Sequence, residues 1–211
     1  NSVHFGTSST NPQPSIIKFV LDSNSRISLS NNDSGTDNTV FGKEAGNAIA
    51  SGGNYNTMLG RSAGKLLTTG DENIYVGTYS GLFNVTGSGN TAIGYSSQYG
   101  ASGQSHSNNT SVGKNSLKAI TTGGNNTAIG YSSLYDLVDG SSNVALGYRS
   151  GYESTAATSN VFVGNDSARE NTTGSYNVCV GDGSGLLMQT SNSNVFIGYQ
   201  SAVTHTHSNG E

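Results

Sequence analysis

Tyrosines recur at fixed intervals through the middle of this 211-residue chain. Tyr95, Tyr131, Tyr148 and Tyr199 share one place in a repeating frame, and Tyr99, Tyr135 and Tyr152 share another, four residues on. Aromatic side chains aligned in this way form either a platform for sugar rings or a packing ladder. The candidates for binding a glycan are Tyr95, Tyr99, Tyr131, Tyr135, Tyr148 and Tyr152. Asp136, Glu153 and Glu170 follow one place later in three successive units. Such a row of carboxylates can hold a cation or a sugar, or serve as a solvated edge that discourages lateral aggregation. Cleavage of a polysaccharide needs paired carboxylates, whereas the 13 acids here are scattered. No Gly-x-Ser-x-Gly elbow is present and no His/Asp pair supports a serine nucleophile, so the chain reads as a non-enzyme. His205 and His207 are the only histidine pair. On an extended strand both rings point the same way, and imidazole suits Zn, Fe, Ni or Cu. Three chains around one axis would bring six such rings to a single axial metal; the plainer reading is a polar terminus. No other cofactor is expected. His4 and His106 have no partner in the sequence.

What must position these residues is a repeat. Asn90-Thr91-Ala92-Ile93-Gly94 recurs as Asn126 to Gly130. Loosened to Asn, Thr/Val/Ile, any residue, a bulky apolar residue and Gly, the pattern occurs ten times. Its asparagines are Asn38, Asn56, Asn73, Asn90, Asn109, Asn126, Asn143, Asn160, Asn177 and Asn194, spaced by 18, 17, 17, 19, 17, 17, 17, 17 and 17 residues. A fixed short period signals a solenoid. With Asn as position 1, positions 2 to 4 read as a strand and the glycine at position 5 as a corner. Position 8 is always Ala or Ser and suits a tight interior place. Positions 13 to 15, often Thr-Thr-Gly, read as a second short strand returning to a turn. The asparagines should stack as a hydrogen-bonded ladder along one edge. The two longer units place their extra residues near Gly52-Gly53 and Ser105 to Asn108. The expected fold is an all-β, parallel β-solenoid of ten coils of about 17 residues, roughly 48 Å long at ~4.8 Å per coil.

Side chains alternate along a strand, so positions 2 and 4 share a face. Both are apolar, apart from threonine at position 2 in the early units, and are expected inside. On that reading a charge at Ile129, in position 4, would break the coil. Position 3 (Val40, Met58, Tyr75, Ala92, Ser111, Ala128, Ala145, Phe162, Cys179 and Phe196) would then face outward. In the last units it is too apolar for free solvent, which implies cover by other copies, most simply in a homotrimer. A threonine row facing inward also argues against an ice-binding face.

Composition agrees with a solenoid better than with a conventional core: 30 glycines, 32 % hydrophobic and 10 % charged residues. Net charge is −4 with no basic run, which argues against nucleic acid. No apolar run approaches the ~18 residues of a membrane helix. The single Cys179 reads as a small packed residue. Residues 1–37 stand apart from the repeat domain of 38–211. Within them Ile16 to Leu21 and Arg26 to Ser30 read as the two strands of a hairpin that covers the first coil.

The Asn-Thr-Ala-Ile-Gly repeat with its following serine resembles the head repeats of trimeric autotransporter adhesins and the repetitive shafts of phage tail fibres and tail spikes. The segment Ser25 to Thr36, running into Asn38-Thr39-Val40-Phe41-Gly42, is similar to a stretch that precedes such repeats in tail-fibre proteins of marine phages. The resemblance implies a homotrimeric shaft outside the cell, on a virion tail, that attaches to a glycan or protein of a host surface. It also implies that tips of this kind sometimes hold a metal at an axial histidine cluster. The period of 17 differs from the shorter adhesin repeat, and no coiled-coil stalk or membrane anchor is present, so the fibre is favoured over an adhesin head. A polysaccharide-degrading spike is the alternative from another class.

Overall fold

The fold follows from one short strand repeated ten times. A computed structural model describes residues 19–21, 27–29, 35 and 37–202. Strands β1 (Phe19–Leu21) and β2 (Ile27–Leu29) pair antiparallel with each other as a separate two-stranded sheet. The other strands are three residues each: β3 (Thr39–Phe41), β4 (Thr57–Leu59), β5 (Ile74–Val76), β6 (Thr91–Ile93), β7 (Thr110–Val112), β8 (Thr127–Ile129), β9 (Val144–Leu146), β10 (Val161–Val163), β11 (Val178–Val180) and β12 (Val195–Ile197). They form one parallel sheet in which every strand pairs only with its sequence neighbours. The register places like positions opposite each other, as in Thr127↔Val144, Ala128↔Ala145 and Ile129↔Leu146. The chain is therefore a β-solenoid of ten stacked coils.

The asparagine at position 1 makes the stacking specific. In all nine steps its Oδ1 accepts the backbone N–H of the next coil's asparagine, at 2.8–3.1 Å. From Asn38 to Asn177 its Nδ2 also donates to a backbone carbonyl of its own coil, as Asn126 does to Gly140 at 2.9 Å. All ten asparagines are buried. They line the interior rather than an edge, because the amide must satisfy backbone groups that water cannot reach.

Burial also reverses the expected facing of the strands. Position 3 is inside: Met58, Tyr75, Ala92, Ser111, Ala128, Ala145, Phe162 and Cys179 are each 0 % exposed. Positions 2 and 4 are outside, with Phe41 at 63 %, Leu59 at 43 %, Ile129 at 42 % and Ile197 at 69 %. Asn and position 3 share odd parity, so a buried asparagine forces position 3 inward with it. Three expectations fall with this: positions 2 and 4 as core, position 3 as the interface between copies, and Ile129 as a core residue.

The interior is filled by exchange of volume among positions 3, 9 and 12. Coil 3 has Tyr75 at position 3 and Gly81 at position 9, where an added Cβ would lie 2.5 Å from the Tyr75 ring. Coil 6 inverts this, with Ala128 at position 3 and buried Leu134 and Leu137 at positions 9 and 12. Interiors packed at crystal density require such compensation. The serine at position 8 adds a link. Its Oγ donates to the carbonyl of position 3 in the next coil, as Ser133 does to Ala145 at 3.1 Å and Ser150 to Phe162 at 2.9 Å.

The expected second strand is absent among the described residues; turns fill the remainder of each coil. Positions 7, 9 and 17 take left-handed backbone, as in Ser132 (φ 53), Leu134 (φ 48) and Ser142 (φ 60), and at positions 13 and 14 the N–H groups of Thr121 and Thr122 both donate to the Val138 carbonyl, so no ladder forms there. The corner at position 5 is stricter. Gly130 has φ 139, and a Cβ there would meet the Gly147 carbonyl at 2.2 Å, so only glycine fits. Of the two longer units, the first takes its extra residue between Ala50 and Gly53, bonded at 2.9 and 2.7 Å to Thr68 and Asn38 respectively. The second opens at exposed Ala101-Ser102-Gly103, slightly earlier than expected. There Phe83 and Val85 bond to Tyr99 and Gln104, spanning five residues where other coils span three.

Candidate functional site

Two surfaces of the solenoid carry chemistry. The first begins just past the glycine corner. Position 6 carries Tyr95, Lys114, Tyr131 and Tyr148 on coils 4 to 7, and position 10 carries Tyr99, Lys118, Tyr135 and Tyr152 on the same coils. Both rails have the order Tyr, Lys, Tyr, Tyr. Tyr131 and Tyr148 stack with centroids 5.3 Å apart and planes at 11°, and Tyr135 and Tyr152 at 5.0 Å and 13°. These distances match the ~4.8 Å coil rise, so the rings are aligned by the repeat itself. Lys114 Nζ lies 5.8 Å from the centre of Tyr95 and 6.0 Å from Tyr131, and Lys118 Nζ lies 5.0 Å from Tyr135. Both are within cation–π range. Upstream, Tyr79 meets Tyr95 and Tyr99 edge-on, at 5.9 and 6.4 Å.

Between the rails on coils 5 to 8 lies a groove of about 350 Å³, at the small end of the roughly 300–1,000 Å³ of ligand pockets. The two tyrosine pairs form its sides, and Asn115, Ser132, Arg149, Glu153 and Arg169 complete it. Arg149 is held by Asp166 through two hydrogen bonds of 2.8 Å, from Nε and Nη2. Arg169 pairs with Glu170. Lys118 donates to the Tyr135 hydroxyl at 2.9 Å, which raises the lysine's pKa. Burial raises the pKa of Asp136, opposed by Lys118, and burial followed by the charge of Asp136 raises that of Tyr152.

All six tyrosines proposed from the sequence lie on these rails, and four of them line the groove. In the pairs Tyr131–Tyr148 and Tyr135–Tyr152 one face of each ring is taken by its partner. Hydroxyls and ring edges are left for the groove. Arg149, Arg169 and Ser132 were not singled out from the sequence; their signal is their place at positions 7 and 10, between and on the tyrosine rails. The acids Asp136, Glu153 and Glu170 do occupy one row and are half-buried. Among the described residues no three His, Cys, Asp or Glu side chains converge to hold a metal ion. His205 and His207 lie outside the described residues.

The second surface is the outer face of the sheet. Positions 2 and 4 of β3 to β12 form two parallel rows along its full length. Position 4 is apolar in every coil. Position 2 is threonine in five of the first six strands (Ile74 is the exception) and valine in the last four. At about 4.8 Å per strand and roughly 3.3 Å per residue the face measures about 43 by 10 Å. With one fully apolar row and a second that is threonine in its first half, the face matches the roughly 300–600 Å² of a typical monomer's largest apolar patch, which is often functional.

Buried polar residues in coils 3 to 5 form a third feature that the sequence reading missed. Asn84 donates to Tyr75 Oη at 2.7 Å, and Gln98 donates to the Thr91 and Asn109 carbonyls at 3.0 and 3.1 Å. His106 is 2 % exposed; its Nδ1 lies 3.4 Å from Asn90 Oδ1, and burial pushes its pKa down to about 4. These groups are sealed from solvent and serve the packing of the coils. Burial likewise pushes the Cys179 thiol up to about 12, as befits an inert packed residue. Comparison with protein-family models, with curated proteins and with solved structures finds no match.

Proposed function

We propose that this chain is a rigid, non-enzymatic shaft segment of an extracellular attachment fibre, of the phage tail-fibre kind, that assembles as a homotrimer and contacts a host surface. The observation that carries this reading is the outward apolar face of the ten-stranded sheet. A second copy suits that face better than an unrelated partner. It presents the same rows at the same coil spacing, so side chains interdigitate coil by coil along the whole length, whereas another protein would fall out of step. Three copies with these faces turned to a common axis leave the tyrosine rails, beyond the corner, free for a receptor. The groove argues for binding rather than cleavage, since Glu153 is the one acid among its described lining residues and cleavage needs a pair. Light scattering on the untagged chain tests this: the expected mass is three times 21.6 kDa, and a stable monomer contradicts it.

The outward threonines Thr39, Thr57, Thr91, Thr110 and Thr127 support a second reading, because they remove the ground on which an ice-binding face was set aside. A monomer that also shows thermal hysteresis would favour that reading.

A further inference from the structure

We infer that the groove between the tyrosine rails binds a linear, neutral oligosaccharide lying parallel to the solenoid axis. This rests on the attachment reading above and gives it a site and a ligand class. The polar groups of the groove are of both kinds and, apart from Arg149, which Asp166 holds, are largely left open by the chain. Among the described residues, no hydrogen bond within the chain engages the hydroxyls of Tyr131, Tyr148 and Tyr152 or the carboxylate of Glu153. The Tyr135 hydroxyl accepts from Lys118 and so directs its own O–H to a ligand. Arg169 uses one nitrogen on Glu170 and retains further donors. Hydroxyls that donate and accept, a carboxylate that can take a vicinal diol, and a guanidinium together match the surface of a sugar ring.

Charge selects against a polyanion. Arg149 is neutralised by Asp166 and Arg169 by Glu170. Lys114 and Lys118, which form no ion pair among the described residues, are balanced by Asp136 and Glu153, which form none there either. The band has no net positive field to hold an acidic chain. Spacing selects for a linear one. The coil rise of about 4.8 Å is comparable to the advance of one ring along an extended glycan, so coils 6 and 7 each offer one ring a hydroxyl pair (Tyr131 with Tyr135, Tyr148 with Tyr152), with Arg169 of coil 8 closing the end. Because each pair spends one face of each ring on its partner and turns hydroxyls to the groove, recognition there depends on the hydroxyls rather than on ring stacking.

Saturation-transfer NMR with maltohexaose, cellohexaose and mannohexaose, and with hexagalacturonate as the acidic counterpart, tests the inference. At least one neutral hexaose is expected to bind, with hexagalacturonate weaker. The double variant Tyr135→Phe/Tyr152→Phe retains the ring stack and the circular dichroism spectrum but is expected to weaken binding at least tenfold. No binding by any neutral hexaose, preference for hexagalacturonate, or undiminished affinity of the Phe variant would each overturn it. Light scattering on the same samples separates the two claims. An oligomer that ignores all sugars refutes the groove alone. A monomer that binds a neutral hexaose upholds the groove and refutes the fibre.

Discussion

Replacing Asn126 by alanine tests how far the asparagine row holds the coils together. The side chain makes four hydrogen bonds: Nδ2 donates to Asn109 Oδ1 and to the Gly140 carbonyl, and Oδ1 accepts from the backbone N–H and Nδ2 of Asn143. Two of the four partners have another bond. Asn109 Oδ1 still accepts from Asn126 N, and Asn143 Nδ2 still donates to Ala157 O. The Asn143 N–H and the Gly140 carbonyl lose their side-chain partner in a site 1 % exposed. At about 1–3 kcal/mol for each buried group left unsatisfied, the variant should lose about 2–6 kcal/mol. Total stability is typically about 5–15 kcal/mol, so the loss is a large fraction of it. Asn194 provides the control. Among the described residues its Oδ1 has no hydrogen-bond partner, so Asn194→Ala removes donor bonds alone and should cost about 1 kcal/mol. Asn126→Asp should be worse than alanine at neutral pH, because it sets a carboxylate oxygen against two acceptors, and should recover as the pH falls and the acid protonates. Urea unfolding followed by circular dichroism, at one protein concentration, measures all three. A cost below 0.5 kcal/mol for Asn126→Ala, or equal costs at Asn126 and Asn194, would refute the reasoning (thresholds of about half the net worth of one hydrogen bond).

Further outcomes follow from the interior. Gly151→Leu places atoms where a Cβ alone already lies 2.7 Å from the Phe162 ring, at a cost of about 1–3 kcal/mol. Phe162→Ala empties the same space at about 3–5 kcal/mol. Because position 9 of coil 6 and position 3 of coil 7 already combine Leu134 with Ala145 in the same relation, the double variant should be markedly more stable than the sum of its parts, and strictly additive urea midpoints would contradict the exchange of volume. His106 should make stability fall with acid. Its native pKa, about 4, is below the ordinary value near 6.5, so the unfolded chain binds the proton first. The contribution is complete above about pH 6.5 and is lost as the pH falls towards 4, by up to about 3 kcal/mol. His106→Ala should flatten that part of the stability–pH curve, and an unchanged slope would rule out the histidine as its source.

How much the sequence disclosed depends on which kind of signal was read. The period of the asparagines located ten strands and their corners, because a coil with one asparagine and one glycine at fixed places has few ways to close. Facing was misread because both sides of the strand are apolar, and apolarity was taken as the mark of the interior. Asn126 and its equivalents held the better signal: a polar residue kept at every coil must be bonding something buried, and position 3 shares its parity. Gln98, Leu117 and Leu134 break a run of Gly and Ala at position 9, and each stands in a coil where position 3 is small, Ala92, Ser111 or Ala128. Spacing placed the tyrosines in rows, but not the direction of their rings. That direction is set by stacking at the coil rise, which spends one face each of Tyr131 and Tyr148 on the other. Positions 13 to 15 read as strand from their threonines, but the N–H groups of Thr121 and Thr122 both donate to the Val138 carbonyl, which makes a turn and not a ladder.

The facing of the strand is the claim on which the shaft, its interface and the free rails all rest, and two adjacent substitutions test it. Ala128→Asp puts a charge into the interior, and Ile129→Asp puts one on the outer face. Light scattering and circular dichroism on both, beside wild type, should show Ala128→Asp unfolded and Ile129→Asp folded but reduced from a trimer to a monomer of 21.6 kDa. A folded Ala128→Asp with an unfolded Ile129→Asp would contradict the account and return positions 2 and 4 to the core.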